Sequence, residues 1–530
     1  MADVPRGLVG AETQGSQGGR PLGYHPPRLL AFLWSKRKSL PWLLAAAIVV
    51  RVAGLPGLVN VDECDFSLFG RLVRHGEIPY VGVVDNKPPL TYLVFGLADL
   101  LGGAHWILAI RVVGVAAVFL TSLALFAAAR AWTGDERHGW AAAWLGLAAG
   151  LCESPSVSAE LLMNLPTAVA LYLLALAGRE GRLRLVATAG AAAAVATLFK
   201  QQAAALVVAV AVVLVAEGVS PRGITRRRAW GRLLAFSAGF AAPWLVVVGV
   251  FAHLGALSAL YEWLVLRNFA QVSTGSTFSF TRALAAFGTC VVGATPLPWL
   301  LAVMGARRIR DAFHVVLVVL LGLTLVSVSV GGRFYEHYFL QFVPPLALLG
   351  ARPLVELRDR WTHLRPALRR SVLALAIAPV VGYLVYTVGR GCARKYPLQD
   401  QNTSVVASWL VQNTSETERV FVWGDQSIIY CGSGRLPGTR YMRTAFHVGD
   451  VDPAHVATTH FSWQPSSRDV ANTLADLEAR RPEIVIDTST SDIHHWDLFP
   501  LRAIPELDRY VQAHYRLTST AAGVAIYRRL

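Results

Sequence analysis

The sequence predicts an integral membrane protein, with a bundle of about eleven transmembrane helices and a small α/β domain outside the membrane. Two observations lead to this prediction. Hydrophobic residues make up 54% of the 530-residue chain and charged residues only 16%, whereas soluble proteins carry about a quarter charged residues. Long apolar runs also recur between residues 40 and 388. With their flanks they are long enough to cross a hydrocarbon core of about 30 Å, and they are too many for one soluble core.

The formal net charge of +15 reflects membrane topology and does not indicate a nucleic-acid partner. Arginines cluster in short loops between apolar runs, and the loops between these clusters carry few Lys or Arg. Because basic residues favour the cytoplasmic side, this alternation predicts that every arginine-rich loop and the N-terminus lie inside the cell. The clusters lie at residues 179–184, 222–232, 307–310 and 352–370.

Changes in composition predict three parts. Residues 1–38 are rich in Gly, Pro and Arg without periodicity, which is typical of a disordered tail, here cytoplasmic. Residues 39–389 form the transmembrane domain. From residue 390 to residue 530, short apolar runs alternate with polar stretches, which indicates an extracytoplasmic α/β domain. Its predicted elements are strands at residues 419–423, 483–487 and 523–527 and an amphipathic helix at residues 469–480.

The first predicted outer loop contains the most informative segment, residues 61–101. It opens with two adjacent carboxylates, Asp62 and Glu63, just after the first span. Apolar residues at helical spacing follow, and they predict an amphipathic helix in the membrane surface. A second interfacial helix is entered through a Lys-Pro-Pro-Leu motif that begins at Lys87, because proline suits the first turn of a helix.

The acidic pair, the two surface helices and the KPPL motif, in this order, resemble the polytopic C-superfamily glycosyltransferases (GT-C). The nearest branches are bacterial relatives of protein O-mannosyltransferase and of the lipid A aminoarabinose transferase. The resemblance covers about residues 40–390 and implies a GT-C-like bundle in the bacterial inner membrane. It implies transfer of a sugar from a polyprenyl-phosphate donor to an acceptor hydroxyl on the outer, periplasmic face. Whether the acceptor is a glycan, a lipid or a protein stays open, as does the sugar.

The resemblance also implies roles for three residues. Asp62 matches the catalytic aspartate of the family, and Lys87 matches the lysine that contacts the lipid phosphate. Inverting transfer needs a base for the acceptor hydroxyl and positive charge for the departing phosphate. Glu63 is predicted to orient the acceptor or to raise the proton affinity of Asp62 by like-charge repulsion. The alternatives are a solvated acidic pair and an ordinary interfacial lysine.

Further ionisable residues at the outer ends of predicted spans are candidates for the same cavity, because charge at membrane depth is costly. Glu160 is predicted on the acceptor side. Lys200 and Arg333 are predicted to bind the donor phosphate, Arg333 through its planar pair of donors. His337 and Tyr338 are further donor-binding candidates that can hydrogen-bond the sugar. Structural or snorkelling roles are the alternatives for each of these residues.

The sequence contains no CxxC or Cys/His ligand spacing, so we predict metal-independent transfer without a cofactor, although some relatives of the resembled family bind a divalent cation. Two of the five cysteines, Cys392 and Cys431, fall in the predicted outer region. A disulfide between them is permitted there, and two unrelated free thiols are the alternative.

Two rival functions were weighed against the glycosyltransferase. A polytopic transporter or lipid flippase predicts ionisable residues near the middle of several spans and a repeat between halves of the chain. Most charges outside the arginine-rich loops lie instead at the predicted outer rim. A non-catalytic scaffold leaves these rim charges unexplained. The sequence assigns no role to Arg51 and Arg111, which lie within the first two predicted spans.

Overall fold

The computed structural model describes residues 38–52, 59–153, 156–219, 223–274, 279–392, 401–449, 465–491, 493 and 495–530. These residues are mainly helical, with a small sheet near the C-terminus. The chain divides into two compact units, Met1–Leu44 and Ala45–Leu530. Apart from its last residue, the predicted tail at residues 1–38 lies outside the described residues.

The transmembrane part is a series of helices joined by loops. Two of the helices continue into π-helical turns, at Glu262–Leu266 and Gly288–Ala294. The helices are α1 (Leu40–Val52), α2 (Val61–Arg74), α3 (Pro89–Gly102), α4 (Trp106–Thr133), α5 (Glu136–Ala149), α6 (Ala159–Glu180), α7 (Leu183–Phe199), α8 (Ala204–Gly218), α9 (Gly223–His253), α10 (Leu257–Tyr261), α11 (Arg267–Thr274), α12 (Phe280–Phe287), α13 (Pro296–Ala306), α14 (Ala312–Ser329), α15 (Val343–Asp359) and α16 (Pro366–Cys392).

Within the described part of the chain, seven helical segments are long and apolar enough to cross a membrane. A bent pair, Phe280–Ala294 with Pro296–Ala306 at 93°, makes eight if it counts as one span. Helices α1 and α7 are apolar but shorter. The prediction of a helical membrane protein is therefore confirmed, and the count of eleven spans stays a prediction. The seven segments are Pro89–Thr133, Ala159–Glu180, Gln201–Gly218, Arg226–His253, Ala312–Ser329, Glu336–Asp359 and Pro366–Gly389.

Loops that the sequence places on the same side of the membrane meet in the structure. Arg137, in the first turn of α5, binds Asp359 at the end of α15 with nitrogen and oxygen 3.1 Å apart, and both belong to predicted inner loops. Among the predicted outer loops, the backbone carbonyl of Asn86 accepts hydrogen bonds from Gln201 (2.8 Å) and Asn268 (3.0 Å). These contacts agree with the alternation of loops, while the end that faces the cytoplasm stays a prediction.

Helix α2 begins at a capping box, as its sequence requires. The Asn60 side chain accepts the Asp62 N–H at 3.0 Å, and the Glu63 carboxylate accepts the Asn60 N–H at 3.2 Å. Both bonds satisfy donors that a helix start leaves unpaired. Helix α3 begins at Pro89, as predicted from the KPPL motif, because proline has no N–H to satisfy in a first turn.

Helices α2 and α3 pack against each other through two glycines and a set of aromatic rings. A Cβ atom on Gly70 would lie 2.4 Å from the Cα of Gly96, so the backbones touch. Phe66 and Phe69 are each only 1% exposed, and the Phe69 ring stacks on Tyr92 at 3.8 Å. The apolar face that the sequence predicts in the membrane surface thus packs on α3. The interfacial location of the two helices stays a prediction.

The C-terminal part contains a five-stranded sheet in the order β2-β1-β3-β5-β4. Strands β1, β2 and β3 are parallel, and β5 runs antiparallel to both β3 and β4. The strands are β1 (Arg419–Trp423), β2 (Leu436–Pro437), β3 (Ile484–Asp487), β4 (Tyr515–Ala521) and β5 (Val524–Arg529), with helices α17 (Gln401–Asn413), α18 (Ile428–Ser433), α19 (Ser467–Arg480) and α20 (Pro505–His514).

The three predicted strands and the predicted helix of this part are confirmed as β1, β3, β5 and α19. Strand β4 was missed because it lies at the sheet edge and is buried mainly at its two ends, so that it lacks an apolar pattern. The domain boundary near residue 390 stays a prediction.

A disulfide joins α2 to the C-terminal part. Cys64 bonds with Cys431 of α18, and their Cα atoms are 6.0 Å apart. A pairing of Cys431 with Cys392 is therefore wrong, and so is the alternative of a free thiol at Cys431. The physical reason is that α18 packs against α2, which brings Cys431 to the residue beside the acidic pair.

Replacement of Gly70 by alanine is expected to destabilise the protein by about 1–3 kcal/mol, because the added methyl group overlaps the backbone of Gly96. The measurement is thermal unfolding in detergent. Gly178→Ala in α6 is the matched control: its Cβ would meet nothing within 4 Å, and alanine favours a helix. A G70A variant that melts like wild type would mean that α2 and α3 separate without cost.

Candidate active site

Asp62 lies in the first turn of α2 and is half-buried. Burial disfavours its charged form, but nearby positive charges outweigh that effect and hold the pKa of Asp62 below its usual value. Asp62 is therefore an ionised carboxylate among basic groups. In order of their influence, these groups are Lys87, His337, Arg443 and Lys200.

The loop that carries Lys87 is held on both sides of its backbone. The Tyr80 hydroxyl donates to the Lys87 carbonyl at 2.7 Å, and the Lys87 N–H donates to the Tyr92 hydroxyl at 3.0 Å. The ammonium group donates to the Asn86 side chain at 2.9 Å. Lys87 is half-buried, and its charge acts on Asp62 from a fixed backbone.

Four of the other predicted site residues form a second group next to Asp62. The Lys200 ammonium binds the Glu160 carboxylate, and their side chains are 6% and 1% exposed. His337 Nε2 lies 3.9 Å from the same Glu160 oxygen. The Lys200 ammonium also lies 4.9 Å from the Tyr338 ring centroid, within cation–π distance. Arg333 begins the segment that carries His337 and Tyr338 and is half-buried.

Glu63 points into the protein. Its carboxylate binds Arg111 at 2.8 Å and accepts the Val157 N–H at 2.7 Å, in addition to the capping bond from Asn60. These contacts explain Arg111, since a charge at membrane depth requires a buried partner. They give Glu63 a structural role, which differs from the predicted contact with the acceptor.

Arg443 of the C-terminal part is a site residue that sequence reasoning missed. Its guanidinium contacts three carboxylates: Asp65 at 3.0 Å, Asp85 at 3.6 Å and Asp425 at 3.7 Å. Burial raises the pKa of Asp65; Arg443 opposes this and Asp85 adds to it, so that the pKa reaches about 7. Three carboxylates therefore share one arginine beside Asp62.

The sequence contains a pattern that could have indicated the positions of Asp65 and Arg51, but none that indicated Arg443. Asp65 stands three residues after Asp62, which places both on one helix face. Arg51 within the first predicted span required a buried acceptor, and the structure supplies the Ser156 carbonyl. Arg443 had no such signal, because only the fold brings it to α2.

Across the ranges that the structure describes, no group of three or more His, Cys, Asp or Glu side chains could hold a metal ion. Metal-independent transfer remains a prediction.

Part of the chain matches a known protein family. Residues 86–247 match the family described as dolichyl-phosphate-mannose-protein mannosyltransferase. That segment includes Lys87, Glu160 and Lys200. No curated protein shows significant similarity to the chain.

Solved structures give the particular fold. The chain is similar to the crystal structure of ArnT from Cupriavidus metallidurans bound to undecaprenyl phosphate, with 13% identity, a TM-score of 0.62, and coverage of 94% of this chain and 98% of that one. The apo structure of the same protein matches with 14% identity, a TM-score of 0.58 and the same coverage. The predicted resemblance to GT-C glycosyltransferases is thereby confirmed.

The raised pKa of Asp65 predicts how the stability of the protein depends on pH. Because its folded-state pKa is raised to about 7, the folded state holds the Asp65 proton more tightly than the unfolded chain. The resulting stabilisation is present at low pH and is lost as the pH rises from the ordinary aspartate pKa towards that value. Asp65→Asn is neutral throughout, so its melting temperature should gain on wild type between about pH 4 and pH 7. A constant difference across this range would contradict the assignment.

Proposed function

We propose that this chain is a membrane glycosyltransferase that moves a sugar from a polyprenyl-phosphate donor to an acceptor hydroxyl on the outer face, with Asp62 as the general base. The observation that carries the proposal is the position of an ionised, half-buried carboxylate among four basic side chains. A lipid phosphate requires the basic side chains, and an acceptor alcohol requires the carboxylate. The family match and the ArnT-like fold support the same reaction.

In the proposed step, the acceptor oxygen attacks the anomeric carbon from the face opposite the phosphate. The acceptor proton passes to Asp62, and the bond between the anomeric carbon and the phosphate oxygen breaks. The electron pair leaves with the polyprenyl phosphate. Lys87 stabilises the charge that develops on this phosphate. The configuration at the anomeric carbon is therefore inverted.

The same charges explain how an aspartate with a lowered pKa acts as a base. Lys87 contributes the largest attraction that keeps Asp62 ionised in the empty site. When the donor phosphate binds Lys87, its negative charge offsets that attraction and raises the proton affinity of Asp62. Donor binding thus strengthens the base at the moment when it is needed.

The second group of residues is proposed to line the other side of the reacting centre. Glu160 forms a buried ion pair with Lys200 and lies 3.9 Å from His337. The charges of Glu160 and Lys200 therefore offset each other. We assign Lys200 and Arg333 to the donor phosphate, and His337 and Tyr338 to the sugar hydroxyls. Glu160 then acts on the acceptor side through the groups that it holds.

An apolar groove beside Lys87 is suited to the isoprenoid chain of the donor. It has a volume of about 430 Å³ and runs between α2, α3 and α9. Tyr92, which accepts the Lys87 N–H, forms part of its wall, so the groove starts next to the proposed phosphate site. Its remaining wall is almost wholly aliphatic or aromatic, and includes Phe69, Leu93, Leu97, Val250 and Phe251.

The disulfide supports an outer location for this site. Disulfides persist in oxidising compartments such as the bacterial periplasm and are rare in the cytosol. The Cys64–Cys431 bond begins two residues after Asp62 and ends in the C-terminal part. Both regions therefore belong on the outer face, which agrees with the side predicted from the arginine-rich loops.

Asp62→Asn is expected to lower kcat by about 10²- to 10⁴-fold, because the amide cannot accept the acceptor proton. The assay supplies purified protein with undecaprenyl phosphate carrying mannose, glucose, galactose or aminoarabinose, and measures release of undecaprenyl phosphate. The same assay identifies which of these donors the wild-type protein uses.

Asp135→Asn is the matched control, since Asp135 also stands at a helix start but in the predicted inner turn before α5. Its turnover should equal that of wild type. Melting temperature and disulfide content establish that both variants are folded. Turnover by a folded D62N within twofold of wild type would remove Asp62 as the base.

A further inference from the structure

The C-terminal part of the chain reaches into the proposed active site at Arg443. Its loop joins the Lys87 loop directly, since the Val84 N–H donates to the Arg440 carbonyl at 3.1 Å. Arg443 then contacts Asp65 on α2 and Asp85 on the Lys87 loop, at 3.0 and 3.6 Å. One side chain therefore links both segments that carry the proposed catalytic groups.

These contacts lie in a buried place. Asp65 and Asp85 are each 1% exposed, and the side chain of Arg443 is 18% exposed. The Arg443 guanidinium also lies 5.9 Å from the Phe446 ring, which limits its movement. Buried carboxylates this close to each other repel unless a cation or a proton offsets their charge.

A covalent bond holds the same region together. Cys64 lies between Asp62 and Asp65 on α2, and its disulfide to Cys431 attaches α18 to that turn. Two separate links thus hold Arg443 near α2: its ion pair with Asp65 and the Cys64–Cys431 disulfide.

We propose that Arg443 is a positioning residue for Asp62, and that the C-terminal part is a component of the active site rather than an appended domain. By offsetting the charge of Asp65 and Asp85, Arg443 holds the first turn of α2 and the Lys87 loop in the arrangement that transfer requires. The inference rests on the proposed role of Asp62.

The consequence is a pH-dependent defect when the arginine is removed. Without Arg443, no cation offsets the charge of Asp65 beside Asp85. As the pH rises, Asp65 must give up its proton next to a second carboxyl group, and the repulsion displaces the turn that carries Asp62. A residue that contributes packing alone would produce the same loss at every pH.

Other charged groups face this region from each neighbouring element. Comparison of every variant with wild type at the same pH removes their contribution. These groups are Asp62 and Glu63 on α2, Lys87 on the KPPL loop, Lys200 after α7, His337 before α15, and Asp425 before α18.

The experiment measures release of undecaprenyl phosphate from the donor that wild type uses, between about pH 6 and pH 9. Arg443→Gln should lose activity relative to wild type as the pH rises. The expected loss is about tenfold or more across this range. Arg443→Lys keeps the charge and should show no such slope. Asp65→Asn combined with R443Q should remove most of the slope, because one of the two repelling charges is gone.

Arg440→Gln is the matched control. Arg440 lies on the same loop, but its side chain binds Asp476 at 2.9 Å and not the carboxylates beside Asp62. R440Q should follow the pH profile of wild type. A pH-independent loss in folded R443Q, or a profile equal to that of R440Q, would overturn the inference while leaving Asp62 as the base.

If R443Q does not accumulate, R443K and the double variant decide. Recovery of active protein in both supports the inference, because a lysine charge or the loss of one repelling carboxylate then replaces the arginine. An inactive but folded double variant overturns it. Turnover by folded D62N, or no use of any donor by wild type, defeats the proposed function and this inference together.

Discussion

The buried ion pair between Glu63 and Arg111 fixes the start of helix α2, and the proposed active site depends on that position. A carboxylate that is only 1% exposed needs a partner, and Arg111 of α4 supplies one. Their attraction offsets part of the free energy that burial of each charge costs. The next residue, Cys64, is bound to the C-terminal part, and Asp65 is bound to Arg443. Three consecutive residues thus tie one turn to three other segments.

This arrangement leaves Asp62 as the half-buried acid of the turn, next to the predicted phosphate-binding lysine. The charges around it fall into two sets: Glu160 with Lys200, and the Asp65 group with Arg443. Lys87 is different, because its ammonium group bonds to a neutral amide, that of Asn86. Under the proposed function, the phosphodiester of the donor binds at Lys87, within electrostatic reach of Asp62.

Local patterns predicted what depends on neighbouring residues, and long-range contacts could not be predicted in the same way. Helix α3 followed from its proline start, and strand β1 from a short apolar run. Asp62 and Lys87 were predicted from motifs within one loop. The partner of Cys431 lies 367 residues away, so spacing carried no information about it. The capping bond of Glu63 was not predicted, because adjacency in sequence does not reveal that the third residue of a helix turns back to cap it.

The position of a bound lipid phosphate tests the central claim most directly. A structure of this protein with undecaprenyl phosphate should place the phosphate within hydrogen-bond distance of the Lys87 ammonium group, on the side that faces Asp62, with the isoprenoid chain in the groove along Tyr92. A phosphate bound at the opposite end of the bundle, beside Arg137 and Asp359, would contradict the account.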